Sequence, residues 1–310
     1  MSPRSLEGAT VPRADFRSYY GRPVLKEPVW TPEIPWYFFA GGLTGAAATL
    51  ACVSGLTGNQ PLARRAWLVT LTGAAASPAL LISDLGRPGR FLNMLRLFKT
   101  TSPMSIGSWV VTATGVSAAL AAAHELFGVL PRLGPVARVA AGLLGLPMAT
   151  YTAALVSNTA VPVWHEARVE LPFVFAGSAA ASAGAAAVLV TPPRHGGPAR
   201  RLTVAGAALE GVASQVMEHR LGEIGEPYRR GEAARYAMFA KAFTACGAAL
   251  VGLGARRRHV AALAGAALVL AGSVLQRWTV FKAGFQSARD PKYTVAPQRT
   301  RVDARTRGTV

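Results

Sequence analysis

Residues 66–94 of the chain read AWLVTLTGAAASPALLISDLGRPGRFLNM. The first part of this stretch, Ala66–Ser83, carries no charged side chain and is long enough to cross most of a bilayer as a helix. The apolar run ends at Asp84, and the following segment combines apolar side chains with four cations: Arg87, Arg90, Arg96 and Lys99. An acid at the end of an apolar run, followed by these cations, is typical of a docking surface at a membrane boundary.

The chain as a whole is more apolar than a soluble protein. Of its 310 residues, 51% are hydrophobic and 15% are charged, and the mean hydropathy is +0.29. Soluble domains have about 25% charged residues. The net charge of +18 does not indicate nucleic-acid binding, because the cations lie in short segments between apolar runs, where Lys and Arg set topology and contact anionic lipid. We therefore expect membrane lipid, and not nucleic acid, around the chain.

Eight apolar runs have roughly the length that a spanning helix needs. Two of them, the sixth and the eighth, have only 16 residues, and the sixth contains Glu210. The sequence predicts an all-α integral membrane protein with eight transmembrane helices: Trp36–Gly58, Ala66–Ser83, Ile106–Phe127, Val136–Val156, Leu171–Val190, Leu202–Met217, Ala237–Gly254 and Val260–Leu275.

Eight spans place both termini on one side of the membrane, named the tail side here. The tail side also holds the longer loops, which are mixed in charge, and a water-soluble partner is expected to dock there. The loops on the two sides carry similar numbers of Lys and Arg, which leaves the orientation open. The first 28 residues are polar and lack a signal peptide, and we expect a multi-pass protein of the bacterial cytoplasmic membrane.

The histidines and cysteines do not form a redox-metal pattern. Haem in a membrane helix pair needs two imidazoles at one depth, but all five histidines lie at span ends or in loops: His124, His165, His195, His219 and His259. The two cysteines are far apart in sequence and cannot form a cluster motif. The sequence therefore predicts no haem, no iron–sulfur cluster and no other metal in this chain.

A group of polar side chains ends the fourth span on the tail side. Residues 151–166 read YTAALVSNTAVPVWHE and contain a phenol, an amide, an indole and an adjacent imidazole and carboxylate. A membrane quinone needs an apolar slot, donors for its carbonyls and a proton route, and His165 beside Glu166 can move protons near neutral pH. An aromatic belt at the interface is the alternative interpretation. The entry to the first span adds another acid and phenol: Glu33 and Tyr37.

Charges within apolar runs are candidates for function because they are costly in a membrane. Asp84 and Glu210 are such charges, as is Lys241. We interpret Asp84 as a partner of Arg87 or as a cap of the following loop. Glu210 and Lys241 either pair with each other across helices or extend toward the interface.

Several of these segments resemble the NrfD/PsrC-like family, the integral membrane subunits of molybdopterin and related respiratory oxidoreductases. The matching segments are Asp84–Met94, Thr101–Trp109 (TSPMSIGSW), Tyr151–His165 and Asp290–Tyr293 (DPKY). Residues 18–26 (SYYGRPVLK) resemble the formate-dehydrogenase-associated branch. In a related polysulfide reductase, a histidine near the start of the first span and a tyrosine in the fourth bind quinone. Tyr151 matches that tyrosine, whereas Tyr37 occupies the place of the absent histidine.

The resemblance implies two four-helix bundles with quinone bound in the first. The implied organisation is a polar arm (1–33), a first bundle with the candidate quinone site (34–158), a second bundle (159–278) and a basic tail (279–310). The last part of this tail, Thr294–Val310, is basic and contains proline, and is expected either to bind the partner or to be disordered. The implied candidate proton donors are His165, Glu166, Asp84 and Glu33, the implied quinone-binding residues are Tyr37, Tyr151, Ser157, Asn158 and Trp164, and the expected partner-docking residues are Arg87, Arg90, Arg96 and Lys99.

The implied function is that of a membrane anchor and quinone-reactive subunit, which is not catalytic alone. It would pass electrons between a ferredoxin-like iron–sulfur subunit and menaquinone or ubiquinone, in a complex whose molybdopterin subunit acts on formate. A secondary transporter and a passive membrane tether are the alternatives. The transporter is disfavoured, since no second Gly/Pro-interrupted span mirrors one in the first half.

Overall fold

The computed structural model describes residues 24–85, 87, 89–254 and 259–307. These residues form helices joined by short connections, with no strand among them. In chain order the helices are α1 (Glu33–Leu56), α2 (Gln60–Asp84), α3 (Gly89–Met94), α4 (Pro103–Phe127), α5 (Gly134–Ser157), α6 (Pro162–Glu166), α7 (Leu171–Val190), α8 (Gly197–Leu221), α9 (Glu226–Arg229), α10 (Glu232–Gly254), α11 (His259–Arg289) and α12 (Lys292–Arg307).

The eight long helices α1, α2, α4, α5, α7, α8, α10 and α11 correspond to the eight predicted spans. All except α8 have both the length and the apolar composition needed to cross a membrane. Helix α8 is long enough, at 25 residues, but both of its ends are polar. The prediction of an all-α integral membrane protein is confirmed.

Most of the predicted spans were shorter than the helices that contain them, and the difference is largest in two of them. Helix α8 has 25 residues and not 16, and α11 has 31 residues and ends at Arg289 rather than Leu275. In both cases the apolar run corresponds only to the part of the helix whose side chains are compatible with the hydrocarbon layer. The backbone continues as a helix through polar turns, because its hydrogen bonds remain satisfied there.

The helices pack as two four-helix groups, as the family resemblance implied. Helices α1, α2, α4 and α5 contact one another in the first group, and α7, α8, α10 and α11 do so in the second. The two groups meet where α1 and α5 pack on α7, and where α1 also contacts α11.

Local signals explain where several long helices begin and end. The side chain of Asn59 accepts a hydrogen bond from the backbone N–H of Leu62 at 3.4 Å, which caps α2. Ser102 caps α4 in the same way, through the N–H of Ser105 at 3.4 Å. Gly128 follows the last residue of α4 and caps its C-terminus, with a φ of 70° that suits a residue without a side chain. These are common start and stop chemistries for helices.

Backbone contact between glycines sets the spacing of α1 and α5. A Cβ on Gly45 would collide with the carbonyl oxygen of Gly145, and a Cβ on Gly145 would collide with that of Gly45. The hydroxyl of Thr49, one turn after Gly45, donates to the Gly142 carbonyl across the same contact at 2.9 Å. Small residues allow such close approach, and an interhelical hydrogen bond adds to it.

The tail-side connections contain the short helices α3, α6 and α9, and the chain beyond α11 forms α12. Arg289 at the end of α11 donates to Glu27 at 3.0 Å, which brings these residues to the same end of the bundle. Lys292 forms an ion pair with Glu226 of α9, and the Tyr293 hydroxyl donates to the same carboxylate at 3.2 Å. Residues 292–307 are helical, and partner binding by this part of the tail stays a prediction.

Replacing Gly45 with Ala is expected to destabilise the first bundle by about 1–3 kcal/mol, because the added methyl group forces α1 away from α5. Thermal unfolding of the detergent-solubilised protein measures this effect. The matched control is Gly115→Ala in α4, where a Cβ would meet nothing within 4 Å and the protein should be unaffected or slightly stabilised. Equal melting temperatures for the two variants would contradict the proposed role of the contact.

The Glu226–Lys292 contact is expected to make the docking of α12 sensitive to acid. The hydrogen bond from Lys292 holds the pKa of Glu226 below its ordinary value of 4.5, and the Tyr293 hydroxyl acts in the same direction. A carboxylate with a lowered pKa stabilises the folded state fully above its unfolded pKa, and this contribution is lost as the pH falls through the lower folded value.

Hydrogen exchange of residues 292–300 should therefore accelerate as the pH drops below about 4.5, after correction for the intrinsic pH dependence of exchange. In Glu226→Gln the same amides should exchange faster at neutral pH, and their protection should change less on acidification. An identical acid response in the two proteins would rule out this carboxylate as the cause.

Candidate functional site

The segment before α1 joins two regions that the sequence singled out separately. Thr31 donates to Asp84 Oδ1 twice, from its backbone N–H at 3.1 Å and from its hydroxyl at 2.6 Å. The neighbouring Trp30 stacks on Trp164, with ring centroids 5.3 Å apart. Asp84 and Trp164 therefore lie at the same end of the bundle. Among the described residues Asp84 pairs with Thr31 and not with Arg87, so the Arg87 interpretation was wrong.

Two tyrosines from different helices meet beneath this segment. Tyr37 of α1 is 1% exposed, and its ring lies 6.5 Å from that of Tyr151 on α5, edge to face. The ring of Tyr151 packs against Gly107 of α4, where a Cβ would collide with it. The Tyr151 hydroxyl is buried without a hydrogen-bond partner among the described residues. A buried donor without an acceptor is costly, so an acceptor from outside the chain would stabilise this arrangement.

A small cleft lies beside the two tyrosines and is named the tyrosine cleft here. The described residues of its wall are mostly apolar, and one of them, Asp84, is acidic. The enclosed space measures about 40 Å³, which is enough for a few water molecules and not for a quinone ring. It is lined by Trp30, Ile34, Tyr37, Leu81, Asp84, Leu85, Met94, Met104, Gly107, Ser108, Tyr151 and Leu155.

The cleft can widen most easily on the side that is formed by α3. Helix α3 contains no buried residue, and it contributes Met94. Met104, at the start of α4, is 48% exposed. Methionine side chains change shape easily, and a helix with few buried contacts opens at low cost. Widening the cleft therefore needs movement of α3 and two thioethers, while the tyrosines stay in place.

Larger clefts at this end of the bundle have charged walls. One of about 1,050 Å³ lies between α9 and α12 and includes Glu226, Arg229 and Lys292. Another of about 750 Å³ lies beside the end of α11 and includes Glu232 and Lys282. Their charges suit a water-soluble partner better than a hydrophobic carrier.

Trp164 has a structural role in addition to its contact with Trp30. Its indole N–H donates to the carbonyl of Val280 in α11 at 2.7 Å, and its ring lies against Gly284. The side chain is fully buried and fixes α6 on the second bundle. Trp164 does not line the tyrosine cleft, and it reaches the cleft only through Trp30.

The other sequence-predicted site residues lie around the cleft and not in it. His165 is exposed on α6, and Glu166 beside it is half-buried, with its carboxylate 4.0 Å from Arg168. Ser157 donates to the Ala153 carbonyl at 2.7 Å within α5, and Asn158 is exposed just after that helix. Glu33 begins α1, one turn before Tyr37, and its Oε2 is shielded from solvent without a hydrogen-bond partner in the described structure.

The predicted docking cations are all exposed around α3: Arg87, Arg90, Arg96 and Lys99. Within the described residues none of them is part of an ion pair. Large apolar side chains lie among them, with Leu92, Leu97 and Phe98 each at least 60% exposed. Exposed apolar groups between cations are what an interface with an acidic partner needs.

The second bundle contains a buried charge that the sequence analysis missed. Arg277 of α11 is 1% exposed, lies 3.8 Å over the ring of Phe175, and donates to the Phe175 carbonyl at 3.1 Å. It interacts through space with Glu210 of α8, whereas Lys241 pairs with Glu218 at 2.6 Å. The predicted Glu210–Lys241 pair was therefore wrong. Arg277 was overlooked because the eighth span was ended two residues before it.

The described residues contain no group of three or more His, Cys, Asp or Glu side chains that would hold a metal ion. Their polar side chains at the tyrosine cleft are phenol, carboxylate and hydroxyl groups, which can exchange hydrogen bonds and protons with an organic ligand.

Comparison with known proteins assigns the family. The family model described as Polysulphide reductase, NrfD matches residues 24–217, which include the whole first bundle, the tyrosine cleft, the docking cations and α6. No curated protein matches the chain. Since the family model covers more than half of the chain, this membrane protein belongs to the polysulphide reductase NrfD family.

Proposed function

We propose that the chain is the membrane anchor and quinone-reactive subunit of a respiratory oxidoreductase complex. It passes electrons between a partner iron–sulfur subunit and a membrane quinone, menaquinone or ubiquinone, at the tyrosine cleft. Its family consists of membrane subunits of such complexes, which supports the general role. The observation that carries the quinone proposal is the buried hydroxyl of Tyr151, whose ring packs against that of Tyr37 and which has no acceptor among the described residues.

The cleft provides the groups that quinone reduction requires. A quinone takes up two electrons and two protons to become a quinol. Once the cleft has widened on the side of α3, the Tyr151 hydroxyl donates to one carbonyl, and the apolar wall formed by Ile34, Leu81 and Leu155 holds the ring. Asp84 lies on the same wall and can pass protons to the ring oxygens, either directly or through water.

Protons have a short path from the surface. Asp84 is bound by Thr31 at the mouth of the cleft, and Glu33 lies two residues further along the chain. On the neighbouring α6, His165 is exposed and Glu166 is half-buried, and both can exchange protons with the solution. We assign them a collecting role, because neither of them lines the cleft.

Electrons enter from a partner that docks on the tail-side face around α3. The exposed cations and apolar side chains there suit an acidic surface with an apolar centre, and the charged clefts beside α9 and α11 extend this face. We propose a ferredoxin-like iron–sulfur protein as this partner and a molybdopterin subunit behind it. Formate is proposed as the substrate of the complex only on the resemblance of residues 18–26, of which residues 18–23 lie outside the described residues.

Tyr151→Phe should lower kcat/KM for quinone about tenfold, because it removes one hydrogen bond to a carbonyl and leaves the ring in place. The measurement is turnover of a soluble quinone by the complex purified with its partner subunits. Tyr228→Phe is the matched control, since Tyr228 of α9 is also buried with an unpartnered hydroxyl but does not line the cleft. Turnover at the wild-type level in Tyr151→Phe, with the partners still bound, would rule out the Tyr151 hydroxyl as a donor to the quinone.

Reversing the charge of Arg87 and Arg90 together should weaken retention of the partner subunits several-fold, and the loss should be greater at low salt. Co-purification of the subunits at two ionic strengths measures this effect. The control is Arg64→Glu with Arg132→Glu, which changes the same charge at exposed positions at the far end of the bundle. An equal loss in both double variants would show that net charge, and not this face, binds the partner.

A further inference from the structure

A groove opens between the two bundles on the flank that faces lipid. It is formed by α1, α5, α7 and α8, and its volume is about 730 Å³. That volume lies within the range of roughly 300–1,000 Å³ for sites that bind one small molecule. Most of its wall consists of small or aliphatic side chains: Ala46, Leu50, Gly145, Ala176, Ala180 and Ala205.

Apart from Arg201, the described side chains that line the groove offer no unsatisfied hydrogen-bonding group to water. The hydroxyl of Thr49 donates to the Gly142 carbonyl at 2.9 Å, and that of Thr150 donates to the Leu146 carbonyl at 3.2 Å. Both hydroxyls are thus satisfied within the protein. Buried water is stable only where several polar groups lack partners. The apolar part of the groove is therefore better suited to a hydrocarbon chain than to water.

Among the described residues that line the groove, the one charged side chain lies at the groove's exposed mouth. Arg201, about one turn inside the start of α8, is exposed and forms no ion pair within the described residues. Ala176 lies 14 residues from the end of α7 at the same side of the membrane. Arg201 lies four residues inside α8 from the same side, so the two residues differ in depth by about ten residues of helix. At 1.5 Å per residue, the groove extends roughly 15 Å from Arg201 toward Ala176, about the hydrocarbon thickness of one leaflet.

The surface around this mouth is positively charged. Exposed arginines on this side of the bundle include Arg64, Arg132 and Arg194 in addition to Arg201. Among the described residues the acid on this side is Glu125, and it is already paired with Arg138 at 2.9 Å. A headgroup at Arg201 would therefore be anionic, with no carboxylate nearby to repel it.

We propose that this groove binds one acyl chain of an anionic phospholipid whose phosphate is held by Arg201. The site lies in the leaflet away from Asp84 and the docking cations, and it is independent of the quinone chemistry proposed above. The lipid fills the seam between the two bundles, where helices alone leave a gap. Its phosphate supplies the partner that Arg201 lacks within the described protein.

Native mass spectrometry of the full-length protein tests this proposal. The protein, with any subunits that co-purify, is placed in nanodiscs of equal phosphatidylglycerol and phosphatidylcholine and then released. We expect the wild-type protein to retain one phospholipid and to prefer phosphatidylglycerol about tenfold, as a charge-assisted contact implies. Arg201→Gln should abolish the preference but keep the retained lipid, and Arg132→Gln should change neither.

A second pair of variants tests binding of the acyl chain independently of binding of the headgroup. Ala205→Phe places a ring in the groove and should remove the retained lipid whatever its headgroup. Ala208→Phe, one turn further along α8 and also exposed but outside the groove, is the matched control and should retain it.

Four results would overturn the proposal. These are the absence of retained phospholipid in the wild type, a quinone retained in its place, equal headgroup preference in Arg201→Gln and Arg132→Gln, and equal retention in the two phenylalanine variants. Arg201 is exposed, so its variant tests the headgroup contact even if Ala205→Phe does not fold.

Discussion

The contact of two glycine backbones, Gly45 on α1 and Gly145 on α5, is the constraint on which the rest of the first bundle depends. In lipid there is little hydrophobic force between helices, so their distance is set by how closely their backbones can approach. With α1 and α5 in contact at mid-depth, two turns of α1 bring Tyr37 to Tyr151. The position of the cleft is therefore a consequence of small residues outside it.

The fold could be predicted from the sequence to a large extent, because apolar length is a direct consequence of membrane thickness. The run Leu171–Val190 matches its helix at both ends. Prediction failed where a helix left the apolar layer, as in α11, since hydropathy reports the solvent around a helix and not its backbone hydrogen bonds. The same limit hid Arg277, which lies beyond the predicted end of that helix. The short helix α3 carries no apolar periodicity of its own and has no buried residue.

The candidate site could be predicted only in part. Tyr37, Tyr151 and Asp84 were chosen from the sequence and meet at one cleft. The roles of Trp164 and Thr31 could not be found in that way, because each depends on a partner far along the chain: Val280 for the indole and Asp84 for the hydroxyl. For His165 the residue type was informative and the position was not. An imidazole suits proton transfer, but His165 is exposed on α6 and does not line the cleft, so we assign it the collection of protons from solution. That role stays a prediction.

The indole of Trp164 fills the space that a side chain at position 284 would need, so this position must be a glycine while residue 164 is tryptophan. The indole also uses the carbonyl of Val280, one helical turn before that glycine. Neither position can therefore change by itself during evolution without loss of a buried contact. Among homologues the two should vary together, with a smaller residue at 164 wherever 284 carries a side chain. This covariation would be a record of how α6 became attached to the second bundle.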